Sequence, residues 1–110
     1  MKLENKKTDI PKTRVNADGK TELSGEFMHY ADLIALVIDG PTREKGVTIA
    51  DIKENVSILD KCETANGALM EFNAKQTQRI RDMCSEHRWG ANSKDVILFD
   101  DDIRAADEGD

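Results

Sequence analysis

A chain of 110 residues has room for one modest hydrophobic core and no second one. With 35% charged residues, 38% hydrophobic residues and a net charge of −6, it is poorly suited to general phosphate-backbone binding, where Lys and Arg supply the favourable counterion release. Two cysteines, Cys62 and Cys84, make no disulfide framework, the polar start is no signal sequence, and the longest apolar run, "LIALVI" at 33–38, is far short of a membrane span. A reducing cytoplasm is the default setting.

Residues 1–22 read as a flexible basic arm. The first twenty hold six basic groups against three acidic ones, with Pro11 and few apolar side chains. The Asp18-Gly19 pair suits a tight turn, so a short β-hairpin around residues 14–23 is the one ordered feature expected there, and an isolated ribbon is marginal in water.

A helical domain is expected over 23–106. In "LSGEFMHYADLIALVIDGP", Ser24 stands as N-cap, Glu26 in the first turn and Leu23 as a staple onto Met28; Gly40-Pro41 supplies the stop. Phe27, Ala31, Ile34 and Ile38 form one face, while Leu33 and Leu36 point nearly the opposite way. A helix apolar on both sides is central in its domain or shared with a partner.

The next helix is the best punctuated. Thr48 caps it, Asp51 follows at the third position, Val47 can staple onto Ile52, and Asn66-Gly67 ends it. Ile49, Ile52, Val56 and Leu59 make a stripe expected to pack on the first helix, with Lys53, Glu54, Asp60 and Lys61 on the wet side. "ALMEF" at 68–72 reads as a short extended connector.

Asn73 with Gln76 opens a third helix, preceded by Phe72 as a staple. Thr77, Ile80, Met83, Cys84 and His87 share its inner side; Lys75, Gln78, Arg79, Arg81 and Asp82 lie outside. After "RWG", Ser93 caps a last helix carrying Val96, Phe99 and Ile103, favoured over a strand at "DVILF" by the cap and by the Phe99–Ile103 spacing. Residues 107–110 end an acidic tail: from 100 onward six carboxylates face one arginine, Arg104.

Chemistry is sparse. Cys84-x-x-His87 with Cys62 and His29 lacks the paired CxxC of a structural zinc site, and both cysteines fit core positions, so no metal is assigned. "FDDDIRAADEGD" lacks the alternating order and closing Glu of a calcium loop. No Gly-rich phosphate loop appears, and neither a cofactor nor a small-molecule substrate is inferred. An enzyme is the least supported class.

The composite expectation is an all-α, compact bundle of about four helices with a disordered basic arm and an acidic tail. Its core should draw on Phe27, Ile34, Ile38, Ile52, Val56, Leu59, Ile80, Met83, Val96, Phe99 and Ile103, with Trp89 closing one end. The functional expectation is a non-enzymatic protein-binding or assembly module that forms a homodimer through the first helix at Leu33 and Leu36. Further partner contacts are expected at Arg79, Arg81, Trp89 and the acidic Asp100, Asp101 and Asp102. The alternative is a nucleic-acid-associated regulator using the basic arm and the third helix.

Over residues 47–106 the arrangement resembles small uncharacterised proteins encoded by tailed bacteriophages and prophages. The pattern follows an apolar helix "ADLIALVIDGP" with T-x-x-D opening a helix that ends near "LDKCETANG", a short "LMEF" connector, a helix running to "HRWG", and the apolar-acidic "DVILFDDDIRAA". The resemblance implies a phage accessory or assembly protein acting in the host cytoplasm, and carries no functional residues across.

Overall fold

The chain begins with strands, not with a mobile arm. A computed structural model describes residues 1–65, 69–89 and 93–106, with the side chains of residues 41–45 outside that description. In chain order the elements are β1 (Lys2–Glu4), β2 (Lys7–Val15), β3 (Thr21–His29), α1 (Tyr30–Lys45), α2 (Ile49–Glu63), β4 (Leu69–Glu71), α3 (Ala74–Glu86) and α4 (Lys94–Ala105). The all-α expectation is therefore corrected to a mixed α/β fold, and the arm boundary at residue 22 falls inside β3.

Two antiparallel pairs account for the strands, β1 with β4 and β2 with β3. In the first, Leu3 lies opposite Met70, and both are buried. Met1 is buried too; its amide carbonyl accepts from the Phe72 N–H at 2.8 Å. The "LMEF" connector is extended, as its pattern suggested, because it has a partner strand 67 residues upstream.

The hairpin of residues 14–23 is present and continues down to Lys7 and His29. At its tip the Asn16 side chain accepts from the amides of Asp18 and Lys20, and Gly19 takes the left-handed φ of +77°. Ser24 is no helix cap. It sits in an irregular stretch of β3 beside Gly25 (φ +85°), where its hydroxyl donates to the Lys12 carbonyl. At the base, Thr8 Oγ1 donates to the Met28 carbonyl at 2.7 Å.

Helix α1 starts five residues later than expected, and its cap is assembled from afar. Asn5 Oδ1 accepts the Ala31 N–H at 2.8 Å, while Asp32 reaches back to the His29 N–H at 2.8 Å. These satisfy amides that a helix start leaves without intrahelical partners. The helix also passes through Gly40-Pro41, the expected stop, since one missing N–H forfeits a single bond to the carbonyl four residues back. Gly46, at φ +70°, lies at the actual end.

The remaining helix starts agree with the sequence. Thr48 Oγ1 accepts from Asp51 N at 3.2 Å, Asn73 and Gln76 form a reciprocal capping box, and Ser93 Oγ accepts from Asp95 N at 3.1 Å. "DVILF" lies in α4, so the strand alternative does not hold. Helix α2 ends at Glu63 with Thr64 as C-cap; the Asn66-Gly67 stop and the tail end at 107–110 lie outside the described residues.

The core centres on α1, through Leu33, Ile34, Val37 and Ile38, joined by Ile58, Ile80, Phe99 and Ile103, all fully buried. Leu59 and Met83 pack against it from partly buried positions. Phe27, Ile52 and Val56 do not belong to it; all three are exposed. Trp89 closes one end through edge-on contacts with Phe99 and His87, at centroid separations of 6.1 and 4.6 Å.

Because the first strand is built into the core, Leu3→Ala is expected to lower unfolding stability in urea by about 2–4 kcal/mol. Asn5→Ala, which strips the α1 amide of its acceptor, should lower it by ~1 kcal/mol. A mobile arm would give no change for either.

Candidate functional site

Helix α2 has two apolar sides, and the fold uses only one. Toward the body it buries Asn55, Ile58 and Cys62. Three of the four residues of the expected inner stripe face out instead: Ile49 is 74% exposed, Ile52 45% and Val56 48%, while Leu59 is half-buried against the core. At 100° per residue, positions 49, 52, 56 and 59 fall within a narrow arc to one side of the Asn55–Ile58–Cys62 face.

A polar contact with α3 fixes this rotation. Arg79 Nε donates to Asn55 Oδ1 at 2.6 Å, and its Nη1 lies 3.6 Å from Asp51 Oδ1. Gln76, almost fully buried, donates from Nε2 to Ser57 Oγ at 2.7 Å and accepts from Lys61 Nζ at 2.8 Å and from the Asn73 N–H at 3.0 Å. The exposed Lys75 pairs with the half-buried Glu54 at 3.7 Å. Among the described residues, no fully buried side-chain nitrogen or oxygen lacks a partner. Turning α2 to bury the Ile49–Val56 stripe would strand Gln76 and Asn55 without their bonds, and an unsatisfied buried polar group is more costly than an exposed aliphatic one.

The β2–β3 ribbon carries a second open surface. Register places Pro11 opposite Phe27 and Thr13 opposite Leu23, and the two-residue period sets Val15 on the same face. Val15, Leu23 and Phe27 are all exposed there, with the Lys7 ammonium 5.3 Å from the Phe27 ring centroid. On the ribbon's other face Lys12 Nζ meets Asp32 at 3.3 Å, spanning a groove of about 510 Å³ lined by Met28, Ala35, Leu36 and Asp39.

The residues singled out from sequence are scattered. Leu33 is fully buried in the core, so it offers nothing to a partner, whereas Leu36 is 42% exposed in the groove. Arg79 binds α2. Arg81 caps the far end of α4, donating from Nε and Nη2 to the Ile103 carbonyl at 3.1 Å each and from Nη2 to the Ala106 carbonyl at 2.6 Å. Asp100 pairs with Arg104 at 2.8 Å, and Asp102 accepts from the Tyr30 hydroxyl at 2.7 Å and from Lys6 at 3.2 Å. Only Asp101 of the acidic triplet is freely exposed. Sequence reasoning missed Ile49, Ile52 and Val56 as surface residues. The available signal was the additional pair Ile58 and Cys62, which gave α2 more apolar arc than one packing face needs.

The thiols are quiet. Burial pushes Cys62 up from its ordinary value of 9 to about 12, helped by the Asp32 and Glu63 charges. Burial does the same for Cys84, with Asp100 adding and Arg104 opposing. Burial, then the hydrogen bond to Asp102, also holds the Tyr30 hydroxyl well above its usual range. Among the described residues no group of three or more His, Cys, Asp or Glu side chains is arranged to hold a metal ion, and no helix is long and apolar enough to cross a membrane.

No protein-family model, curated protein or solved structure matches the chain.

Two outcomes follow from this geometry. Arg79→Met leaves the buried Asn55 carbonyl without its donor and is expected to lower unfolding stability by about 1–3 kcal/mol in urea. Native Cys62 and Cys84 should resist a thiol reagent at pH 8 and react only on unfolding. Their folded-state values lie above the unfolded value of 9, so this contribution to stability is complete below pH 9 and is lost as pH rises toward 12. Thermal melts from pH 8 to 11 should track that decline.

Proposed function

We propose that the chain is a non-enzymatic protein-binding or assembly module that receives a partner helix along the outer side of α2. One observation carries this reading: Ile49, Ile52 and Val56 stand exposed in line on a helix whose rotation is held by polar contacts on its other side. A contiguous aliphatic stripe rimmed by polar residues marks an interaction surface. Its spacing suits a helix lying alongside.

Protein is favoured over nucleic acid because the two arginines of α3, Arg79 and Arg81, are taken up internally by Asn55, Asp51 and the α4 carbonyl end, on a chain of net charge −6. The two free thiols support a reducing cytoplasm. The resemblance of residues 47–106 to small proteins of tailed phages and prophages agrees with an accessory or assembly role in a host cell.

Affinity capture from host-cell lysate with the wild-type chain and with Ile52→Asp tests the reading. The variant should stay within ~0.5 kcal/mol of wild-type stability, as an exposed site does, yet lose the captured protein. A loss of more than ~2 kcal/mol would assign Ile52 to the core. Equal capture by both proteins would move the docking face elsewhere.

A further inference from the structure

We propose that the occupant of the α2 stripe is a second copy of this chain, its α2 laid antiparallel to the first about a two-fold axis between Ile52 and Val56. This rests on the reading of α2 as a docking face and names its partner.

The spacing of Ile49, Ile52, Val56 and Leu59 is three, four, three. That is the alternation of core positions in a helix pair that interlocks side chains as knobs in holes. Reversing one helix against the other sets Ile52 beside the second copy's Val56 in the two central layers, both groups exposed, and Ile49 beside the open edge of Leu59, which is half-buried against its own core, in the two outer ones. The stripe is its own complement, which a two-fold contact requires.

Charge selects the direction. The open flank of the stripe carries Lys53 and Asp60, both exposed and neither with an ion-pair partner among the described residues. They are seven residues apart and opposite in sign. In the antiparallel pair this flank meets its own counterpart, so Lys53 approaches the second copy's Asp60, and the symmetry makes the same contact twice. A parallel pair would turn the flank toward the second copy's Asn55 and Cys62 side, which is buried in its own body. Antiparallel stacking also carries Glu63, the next position of the repeat, toward the N-terminal end of the second copy's α2, where negative charge is favoured.

The seam is short. Eleven residues at 1.5 Å each give ~16 Å of contact. Such an interface falls below the roughly 800 Å² per partner of stable complexes, so the dimer forms with a Kd of about 10–500 µM.

Sedimentation equilibrium of the purified full chain from about 10 to 500 µM tests the proposal over the range that Kd implies. Wild type should pass from monomer to dimer. Ile52→Asp, with unchanged circular dichroism, should weaken association more than ~10-fold, since it places a charge in the central layer. Lys53→Asp and Asp60→Lys should each weaken it about 5-fold, and the combined exchange Lys53→Asp/Asp60→Lys should return it to within ~2-fold of wild type. A monomer throughout, or Ile52→Asp dimerising like wild type, overturns the second copy as occupant; single charge variants that the combined exchange does not rescue overturn the antiparallel pairing. If the wild type is monomeric while Ile52→Asp still abolishes capture of another protein, the second copy is excluded and α2 remains a docking face for that protein.

Discussion

The contact between Gln76 and Arg79 on α3 and Asn55, Ser57 and Lys61 on α2 sets the character of the whole molecule. It is a polar seam inside a small protein, with no fully buried side-chain nitrogen or oxygen left unpaired among the described residues, and it admits one rotation of α2. That rotation puts Ile58 into the nucleus and leaves Ile49, Ile52 and Val56 in water. An all-aliphatic interface between the same helices would have allowed α2 to slide or turn toward greater burial. Hydrogen-bond geometry forbids it, so an apolar surface persists in a folded, well-satisfied chain.

A similar economy governs the charges that looked like a surface code. Asp102 ties α4 to Tyr30 and to Lys6, and Arg81 closes the last turn of α4. These groups act as clasps between elements distant in sequence. The ribbon base is held likewise: the Asp9 amide donates to Asp95, and Ser93 donates to the Asp9 carboxylate. A chain with few aromatic side chains thus supplements its core with polar ties at the margins.

Local punctuation was legible in the sequence. Thr48, the Asn73–Gln76 box and Ser93 mark the starts of α2, α3 and α4, because a cap acts within three residues of itself. The start of α1 was not, since its cap comes partly from Asn5, and Ser24 with Glu26 imitates a cap inside a strand. The order of residues 1–15 depends on pairing with β3 and β4, contacts that no local window contains. Which side of α2 faces inward was equally hidden: both sides are apolar, and the deciding partners, Gln76 and Arg79, lie about twenty residues downstream. The docking surface was therefore present in the sequence as a stripe, but not as an outside.

The ribbon poses a hazard that its own irregularities contain. An exposed two-stranded ribbon with Val15, Leu23 and Phe27 on one face has the makings of a template for stacking strands into fibrils. Pro11, without an amide hydrogen, interrupts one margin, and the left-handed Gly25 bends the other, so neither margin offers a long straight row of donors and acceptors. The chain can hold aliphatic groups in water at this site without recruiting its neighbours into cross-β growth.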